Sequence, residues 1–328
     1  MDIWRELVSI ARYAPSPHNT QPWLLKPRDS TSAVLSMVRS RMLPDEDLTG
    51  SFLCCAMGIF IESLRIVAAN RGLRLECEPI ELDRTSSSEL IPFSHLILHL
   101  DSSVQAMYSD EAFLSRRTSR LRPTGQRITA EIVEEIRATA AKWDQSFHVI
   151  DDQEQIDAIL DRNIDAVFED LNLKPYHDEI VSWFRYGYAH ERNTCDGLAS
   201  RCMNMTAAEL FFTARFPGLL VNPLTRKFMH ALYDWRLGTA LHLGVLDGPF
   251  WDRHSSERAG RGLLHLWVRL ATHKIFIHPF GNLVTNAPAR AWLESFTGLE
   301  RIWLVFRMGH TADPPQSFRL PTERLIAE

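Results

Sequence analysis

The chain is 328 residues long, is 45% hydrophobic and carries a formal net charge of -5. That length and apolar content suffice for one large domain or two of ordinary size, and they exclude a disordered chain. The 36 basic and 41 acidic residues form no basic stripe, so the composition does not support binding to nucleic acid.

The first fourteen residues predict an amphipathic helix and not a secretion signal. They lack the charged, apolar and small-residue regions of a signal peptide, and their apolar residues recur at helical spacing. Five cysteines without a CxxC pair suit a reducing compartment. His190, Cys195 and Cys202 do not have the spacing of a zinc site, so we predict no metal. We therefore expect a cytoplasmic protein with free thiols.

Two apolar runs bear on the membrane question. FLCCAMGIFI, residues 52–61, is too short to span a bilayer and predicts a helix that is buried on all sides. AELFFTARFPGLLV, residues 208–221, contains Glu209, Arg215 and Pro217. It fits a surface-seeking amphipathic segment, although a lid or a subunit contact is the preferred interpretation. No transmembrane segment is expected.

The order of elements predicts a first α/β unit over residues 1–105. After the first helix, WLLKP and AVLSMVR predict paired strands, and a long helix follows that stops at Gly72. LRLECEPIEL and HLILHL predict two further strands. The unit closes near Asp101.

A second unit is predicted over residues 106–328. It begins with a helix marked by Thr129 and Glu131 and continues with the strand QSFHVI. From about residue 152 to 255 the chain is then mostly helical in pattern and rich in aromatic residues, and we treat about 172–255 as an insertion. A core-facing helix, the strand-like IFIHPFGN, a short helix and the strand RIWLVFRMG follow, before an extended Pro-rich tail.

The common cofactor and hydrolase motifs are absent, since the sequence has no GxGxxG, GxxxxGK[ST] or GxSxG. RRTSR is a candidate anion site, because guanidinium forks beside a hydroxyl bind the oxygens of a phosphate. A solvated basic turn is the alternative. HPFGN, residues 278–282, either lets the backbone approach a ligand closely or is an ordinary turn.

Three segments together resemble one family. APSPHNTQPW, residues 14–23, resembles the APSxxNxQPW segment of the FMN-dependent nitroreductases, and RRTSRLRPTGQRITAEIVEEI resembles their N-terminal arginine segment. The tail RMGHTADPPQSFRLPTERLI is similar in layout to the C-terminal segment of the twin-domain, Acg-like branch. In that family the arginine segment comes first, and two subunits share each flavin. The reversed order here implies a tandem, pseudo-dimeric α+β fold in one chain.

The resemblance implies one FMN per chain, in a site shared between the two halves. The residues at the isoalloxazine ring would be Pro15, Ser16, Pro17 and Asn19. Those at the ribityl phosphate would be Arg116, Arg117, Thr118, Arg120 and Arg319. Gly281 and Asn282 of HPFGN would face flavin N5. The acidic residue that the family has beside this glycine is absent from HPFGN, and Gln316 or Ser317 replaces its C-terminal lysine.

The implied activity is transfer of hydride from NAD(P)H, through flavin N5, to a small acceptor that the sequence does not identify. No side chain is required as a catalytic base, although His18 is the one ionisable group of the opening motif that could reach the ring. The alternatives are a flavin-binding or storage protein and a pseudoenzyme, covered by the aromatic insertion like a lid. The chain would be a monomer with an internal pseudo-dimer, or a homodimer.

Overall fold

The structure, a computed structural model, describes residues 2–82 and 87–327. Helices and strands alternate along the chain, which makes it an α+β protein. Within the described residues the helices are α1 Asp2–Ala11, α2 Ser51–Ala69, α3 Asp110–Ser115, α4 Ala130–Ala141, α5 Gln153–Leu171, α6 Lys174–Ser182, α7 Tyr188–Thr194, α8 Ala207–Arg215, α9 Gly218–Val221, α10 Pro223–Leu237, α11 Arg253–Thr272, α12 Asn282–Thr285 and α13 Ala287–Thr297.

The strands form two four-stranded sheets and one small parallel pair. They are β1 Trp23–Pro27, β2 Ser32–Val38, β3 Leu73–Pro79, β4 Leu90–Leu100, β5 Ser146–Ile150, β6 Phe184–Arg185, β7 Leu198–Ala199, β8 Leu243–Asp247, β9 Ile275–Pro279 and β10 Ile302–His310. The order is β1-β2-β4-β3 in the first sheet and β5-β8-β10-β9 in the second, and all neighbours in both are antiparallel.

The two sheets belong to one repeated pattern. The series α1-β1-β2-α2-β3-β4 recurs as α4-β5-β8-α11-β9-β10, and corresponding strands occupy corresponding places in the two sheets. This confirms the prediction of two mixed α/β halves. A division between folding units near residue 105 stays a prediction.

The predicted insertion needs a correction at both of its ends. The helical part begins with α5, before residue 172, and β8 lies inside the predicted range although it is an inner strand of the second sheet. All five residues of β8 are buried, so the strand lacks the alternation of apolar and polar residues that marks a half-buried strand. The sequence between the paired strands β5 and β8 therefore runs from 151 to 242.

The long helices α2 and α11 cross at the centre of the molecule, backbone against backbone. A Cβ atom added to Gly58 would lie 2.1 Å from the carbonyl oxygen of Glu257, and one added to Gly260 would lie 2.1 Å from that of Cys55. Each glycine thus rests on the residue three positions before the other. This reciprocal contact is what a two-fold relation between the halves requires at its axis.

Helix α2 is the core element that its apolar run predicted. In the described part of the chain it is the one helix long and apolar enough to cross a membrane, but 78% of its apolar window is buried in the protein. Its buried Glu62 accepts a hydrogen bond from His265 of α11 at 2.9 Å and pairs with Arg65 at 2.7 Å. Burial favours the neutral acid, yet these two partners lower the pKa of Glu62.

The C-terminal tail returns to the first half. Leu25 of β1 donates its N–H to Leu325 O at 2.9 Å, and Ala327 donates its N–H to Leu25 O at 2.9 Å. Leu320, Leu325 and Ile326 are buried in the same core cluster as the residues of α1 and β1. The tail therefore extends the first sheet at its β1 edge, as its extended, Pro-rich sequence allowed.

Candidate functional site

The opening loop, residues 14–23, has an unusual backbone. His18, Asn19 and Gln21 have φ values of 50°, 55° and 52°, in the left-handed region that residues other than glycine rarely adopt. The Ser16 hydroxyl accepts a hydrogen bond from the Gln21 N–H at 2.9 Å. This hydrogen bond and the two neighbouring prolines, Pro15 and Pro17, hold the strained turn in one backbone conformation. Such strain is common at binding sites.

The loop is enclosed by two other parts of the chain. Gln21 donates from Nε2 to Cys195 O at 3.1 Å and accepts from the Leu320 N–H at 2.8 Å. Asn19 donates from Nδ2 to Phe318 O at 3.1 Å, while its Oδ1 is buried without a partner. The insertion and the tail therefore both contact the loop, and one acceptor stays unused.

Arg116 lies beside this loop and is 6% exposed. Its Nη2 donates to Tyr13 O at 3.0 Å, and its guanidinium lies 4.6 Å from the centre of the Trp267 ring. Its Nε is buried and has no hydrogen-bond partner. A buried guanidinium with an unused donor is costly, so it indicates a missing acceptor.

Arg319 and Arg117 complete a cluster of positive charge. The Nε of Arg319 is also buried without a partner, and its Nη1 donates to the Ser317 hydroxyl at 2.6 Å. Across residues 2–82 and 87–327, none of the ion pairs involves Arg116, Arg117 or Arg319. The cluster therefore has no directly paired carboxylate, although the charge of Asp313 partly opposes the effect of burial on the pKa of Arg117.

Burial and mutual repulsion act on these groups in the same direction. Burial first, and then the charges of Arg319 and Arg117, lower the pKa of Arg116 well below its ordinary value. Burial likewise lowers the pKa of Arg319 to about 10. An anion would relieve both effects, and two planar guanidinium groups with free Nε donors fit the oxygens of a phosphate.

The other two residues of RRTSR have different surroundings. Thr118 forms a single bridge with Ile277 of β9. Arg120 donates from Nη1 to Cys202 O at 3.1 Å, and its charge lowers the pKa of His278 and Arg307, after burial as the main cause. Arg120 thus lies on the side of β9 and β10, and its assignment to the phosphate stays a prediction.

The HPFGN turn meets the opening loop through a residue that the sequence analysis missed. Glu46 lies in the connection before α2. A Cβ atom at Gly281 would be 4.0 Å from Glu46 Oε1, and His18 Nε2 lies 2.7 Å from Glu46 Oε2. Glu46 therefore places an acidic group beside Gly281, although HPFGN itself contains none. The acidic run PDED was a visible signal, but it also fitted an ordinary helix start.

A buried polar network continues behind Gly281. Asn282 donates from Nδ2 to Asp170 Oδ2 at 2.8 Å and to the Tyr176 hydroxyl at 3.0 Å. Burial, followed by the charges of Glu46 and Asp170, raises the pKa of Tyr176. For Glu46, burial favours the neutral acid, but the charge and the hydrogen bond of His18 lower its pKa. The side chain of Asn282 is thus already engaged, which leaves the backbone of the turn for a ligand.

Residues 195–197 of the insertion, which we call the cover, lie over the opening loop. Gly197 donates its N–H to Asn19 O at 3.3 Å. Asp196 accepts from Arg185 Nη2 at 2.7 Å and from Arg41 Nη1 at 3.2 Å, and Arg41 also donates to Thr20 O at 2.6 Å. A buried aspartate therefore fixes the cover to the first half of the chain.

Comparisons with known proteins add little to this geometry. No family model and no curated protein matches the chain. Among solved structures, the FMN-dependent nitroreductase NfnB from Mycobacterium smegmatis in complex with NADPH is 14% identical, with a TM-score of 0.38 over 62% of this chain and 87% of that chain. The FMN and NADPH-dependent nitroreductase NfnB from sphigopyxis sp. strain HMH is 12% identical, with a TM-score of 0.43 over 68% and 99%.

A nitroreductase with bound FMN from Bacteroides fragilis is 13% identical, with a TM-score of 0.37 over 62% of this chain and 87% of that chain. Identities and TM-scores this low do not carry an argument about fold, cofactor or substrate. What the site can bind follows from its own groups: arginines without a carboxylate partner, an unused amide oxygen and a strained loop, enclosed by the insertion and the tail.

Proposed function

We propose that this protein is an FMN-dependent oxidoreductase of the nitroreductase type, in the twin-domain branch. The observation that carries the proposal is the pair of guanidinium groups of Arg116 and Arg319, each with a buried Nε that has no acceptor. They come from the two segments whose sequences resemble the phosphate-binding segments of that family, and Arg116 contacts the residue before the opening loop.

Within this proposal the chain's residues divide between the two ends of the cofactor. Arg116, Arg117 and Arg319 would bind the dianionic phosphate, with Thr118 and Arg120 further along the segment. Pro15, Ser16, Pro17 and Asn19 would hold the ring. The buried Asn19 Oδ1, which lacks a donor, suits an imide N–H such as that of the flavin ring.

Gly281, Asn282 and His18 would lie near N5 of the flavin ring. Bound FMN supplies the hydride chemistry, from NAD(P)H to a small acceptor. The backbone of Gly281 and Asn282 would present N–H donors to N5, and His18, whose Nδ1 is buried without a partner, would offer a hydrogen-bonding nitrogen close by. A cytoplasmic location, and a monomer or a homodimer of pseudo-dimeric chains, belong to the same proposal.

Flavin storage is a second candidate, and the cover favours it. Hydrogen bonds from Gln21 and Asn19 to Cys195 O and Phe318 O leave the loop enclosed in this conformation. A nicotinamide needs open access to the face of the ring. If the cover stays in place, the protein would hold FMN without turnover.

The phosphate assignment is tested by comparing FMN with riboflavin, which has the same ring and no phosphate. We expect fluorescence titration to show FMN binding at least about 100 times more tightly, and Arg319→Gln to weaken FMN by about 10 to 100 times while riboflavin stays unchanged. Arg137→Gln, on the exposed face of α4, is the matched control. Equal affinities for FMN and riboflavin would contradict the proposal.

Turnover is tested separately from binding. Under anaerobic conditions, NADPH or NADH should bleach the flavin absorbance of the loaded protein if it is an oxidoreductase. Bleaching by dithionite alone would favour storage. Protein that takes up no FMN at all would exclude both candidates and leave a pseudoenzyme.

A further inference from the structure

The helix α10 carries three of its large apolar residues on the outside, although Leu237 at its end is buried. Leu224, Phe228 and Trp235 are 91%, 68% and 65% exposed, and their spacing of four and seven places them on one face of the helix. Polar residues of the same helix contact the protein instead: His230 Nε2 lies 2.8 Å from Asp165, and Arg236 pairs with Glu209. A surface helix normally has the opposite arrangement, so this face needs a partner outside the described chain.

The segment before α10 also exposes apolar residues. Phe211, Phe212, Phe216 and Leu219 are all exposed. The ring centres of Phe211 and Phe212 lie 6.2 Å apart, and those of Phe212 and Phe216 lie 5.9 Å apart. These side chains therefore form a continuous aromatic row and not scattered single residues.

The end of α10 lies beside the start of α8. Arg236, at the end of α10, donates to Asn204 O at 3.2 Å and pairs with Glu209 in the first turn of α8. The connection between the two helices contains α9, which contacts both α5 and α10. We call residues 210–233 the apolar tip.

The positive charge of the apolar tip favours a negatively charged partner. The chain has 41 acidic residues and a net charge of -5, yet residues 210–233 contain no Asp or Glu. They do contain Arg215, Arg226 and Lys227. Arg226 pairs with Asp165, while Arg215 lies exposed over the Phe216 ring, 5.4 Å from its centre, and Lys227 is exposed. Cations interleaved with exposed Phe and Leu side chains suit an apolar surface that carries negative charge.

We infer that the apolar tip binds the surface of a lipid bilayer that contains anionic lipids. The Phe and Leu side chains would enter the boundary between headgroups and acyl chains, while Arg215 and Lys227 would contact the headgroup phosphates. A second copy of the chain is a poorer partner, because pairing two tips would bring the same cations together. The binding is peripheral, since these side chains lie on the surface of the protein, and it does not depend on the proposed cofactor.

The inference is tested by sedimenting the purified full chain with large unilamellar vesicles. Vesicles of phosphatidylglycerol and phosphatidylcholine are compared with vesicles of phosphatidylcholine alone. We expect at least about tenfold stronger binding to the anionic vesicles, and a decline as salt is added. Equal binding to both kinds of vesicle, or binding to neither, would overturn the inference.

Two double variants divide the apolar and the charged contributions. Leu224→Ser with Phe228→Ser should weaken binding to anionic vesicles by at least about tenfold, and Arg215→Gln with Lys227→Gln should remove most of the salt dependence. Leu100→Ser with Phe296→Ser is the matched control, because both residues are exposed and lie outside the tip. All these sites are on the surface, so the variants should keep the wild-type melting temperature.

Self-association is the rival outcome. Light scattering coupled to size-exclusion chromatography measures the mass of each variant without lipid. A dimer that Leu224→Ser with Phe228→Ser converts to a monomer, together with unchanged vesicle binding, would assign the tip to a second copy and overturn the inference. A wild type and a variant of the same mass, with vesicle binding lost in the variant, would support it.

Discussion

The two halves of the chain differ most where each joins its first two strands. In the first half, residues 28–31 make a tight turn in which Asp29 accepts hydrogen bonds from Thr31 N and Ser32 N at 2.7 and 2.8 Å. In the second half, residues 151–242 occupy the same place in the series of elements. The added segment crosses to the other half and encloses its opening loop. The two halves share the same series of elements, but the first half carries the polar opening loop and the second half carries the cover.

The connections between the first helix and first strand show the same division. In the first half, Gln21 binds the cover and the tail. In the second half, Gln145 precedes β5, and its side chain binds Trp303 Nε1 at 2.6 Å and Pro249 O at 3.1 Å, which are core partners. A polar residue at the corresponding place therefore stabilises packing in one half and a loop in the other. The two halves therefore need not carry equivalent binding sites.

The largest loss of stability is expected for substitutions at the contact between α2 and α11. Gly58→Ala would place a methyl group 2.1 Å from the Glu257 carbonyl, so α2 and α11 would have to separate. We expect a loss of about 3 kcal/mol or more in the free energy of unfolding, measured by urea denaturation. Gly260→Ala should have the same effect if the relation between the halves is symmetric.

Gly218→Ala is the control for these glycine variants. No atom outside its neighbours lies within 4 Å of a Cβ atom at this position. The change should be neutral or should stabilise α9 by about 0.5 kcal/mol, because alanine favours a helix. A similar loss for Gly218→Ala and Gly58→Ala would contradict the close crossing.

The cover should become more mobile when the ion pairs of Asp196 are removed. Asp196→Ala leaves the buried Arg185 and the nearby Arg41 without their carboxylate, and breaking a buried pair costs about 3 kcal/mol. Hydrogen exchange of residues 183–200 should speed up by about 100 times, while the sheets stay protected. Lys174→Ala, which breaks an exposed ion pair, serves as the control. Uniformly faster exchange would mean that Asp196 stabilises the whole fold instead.

Glu46→Gln should change how stability depends on pH. The pKa of Glu46 in the folded chain is lowered from 4.5 by His18, so its carboxylate adds stability above that pH and loses it as the pH falls. We expect the wild type to exceed the variant by about 2 kcal/mol near pH 7, with a smaller gap near pH 3. Urea denaturation at several pH values measures the gap. A gap that is constant across pH would exclude an ionised Glu46.

The smallest effect concerns the opening loop. Asn19→Ala removes the unpaired Oδ1 and a hydrogen bond to Phe318 O, and we expect FMN to bind about ten times more weakly. The melting temperature should fall slightly, because alanine is less favourable than asparagine at the positive φ of residue 19. Ser16→Ala should weaken flavin binding less, since Ser16 fixes the loop through the Gln21 N–H. If flavin binding is unchanged in a variant that combines Ser16→Ala with Asn19→Ala, the opening loop is not part of the site.

Much of the fold was predictable because its signals are local. The strands β1, β2, β5 and β10 and the apolar helix α2 follow directly from their residue patterns. β8 was missed because a strand buried throughout has no alternation to detect. The reciprocal contact of Gly58 and Gly260 depends on two helices that are far apart in the sequence, so neither glycine could be assigned a role beforehand.

The site was predictable only in part, for a different reason. RRTSR and the opening loop carry distinctive side chains, and Arg116 lies against the loop. The cover contacts the loop mainly through the backbone oxygens of Cys195 and Gly197, which any residue could supply. Glu46 was visible, but its contact with His18 depends on tertiary packing. Contacts made by backbone atoms do not depend on residue type, so they cannot be predicted from the residue pattern.

The pairing of the tail with β1 sets an order of events during synthesis. Leu25 can form its hydrogen bonds to Leu325 and Ala327 only after those residues have left the ribosome. The first sheet is made early, yet its β1 edge stays open until residues 325–327 have been synthesised. An unpaired strand edge promotes association between chains. Shortened chains that end before residue 320 should therefore aggregate, even though they contain every strand of both sheets.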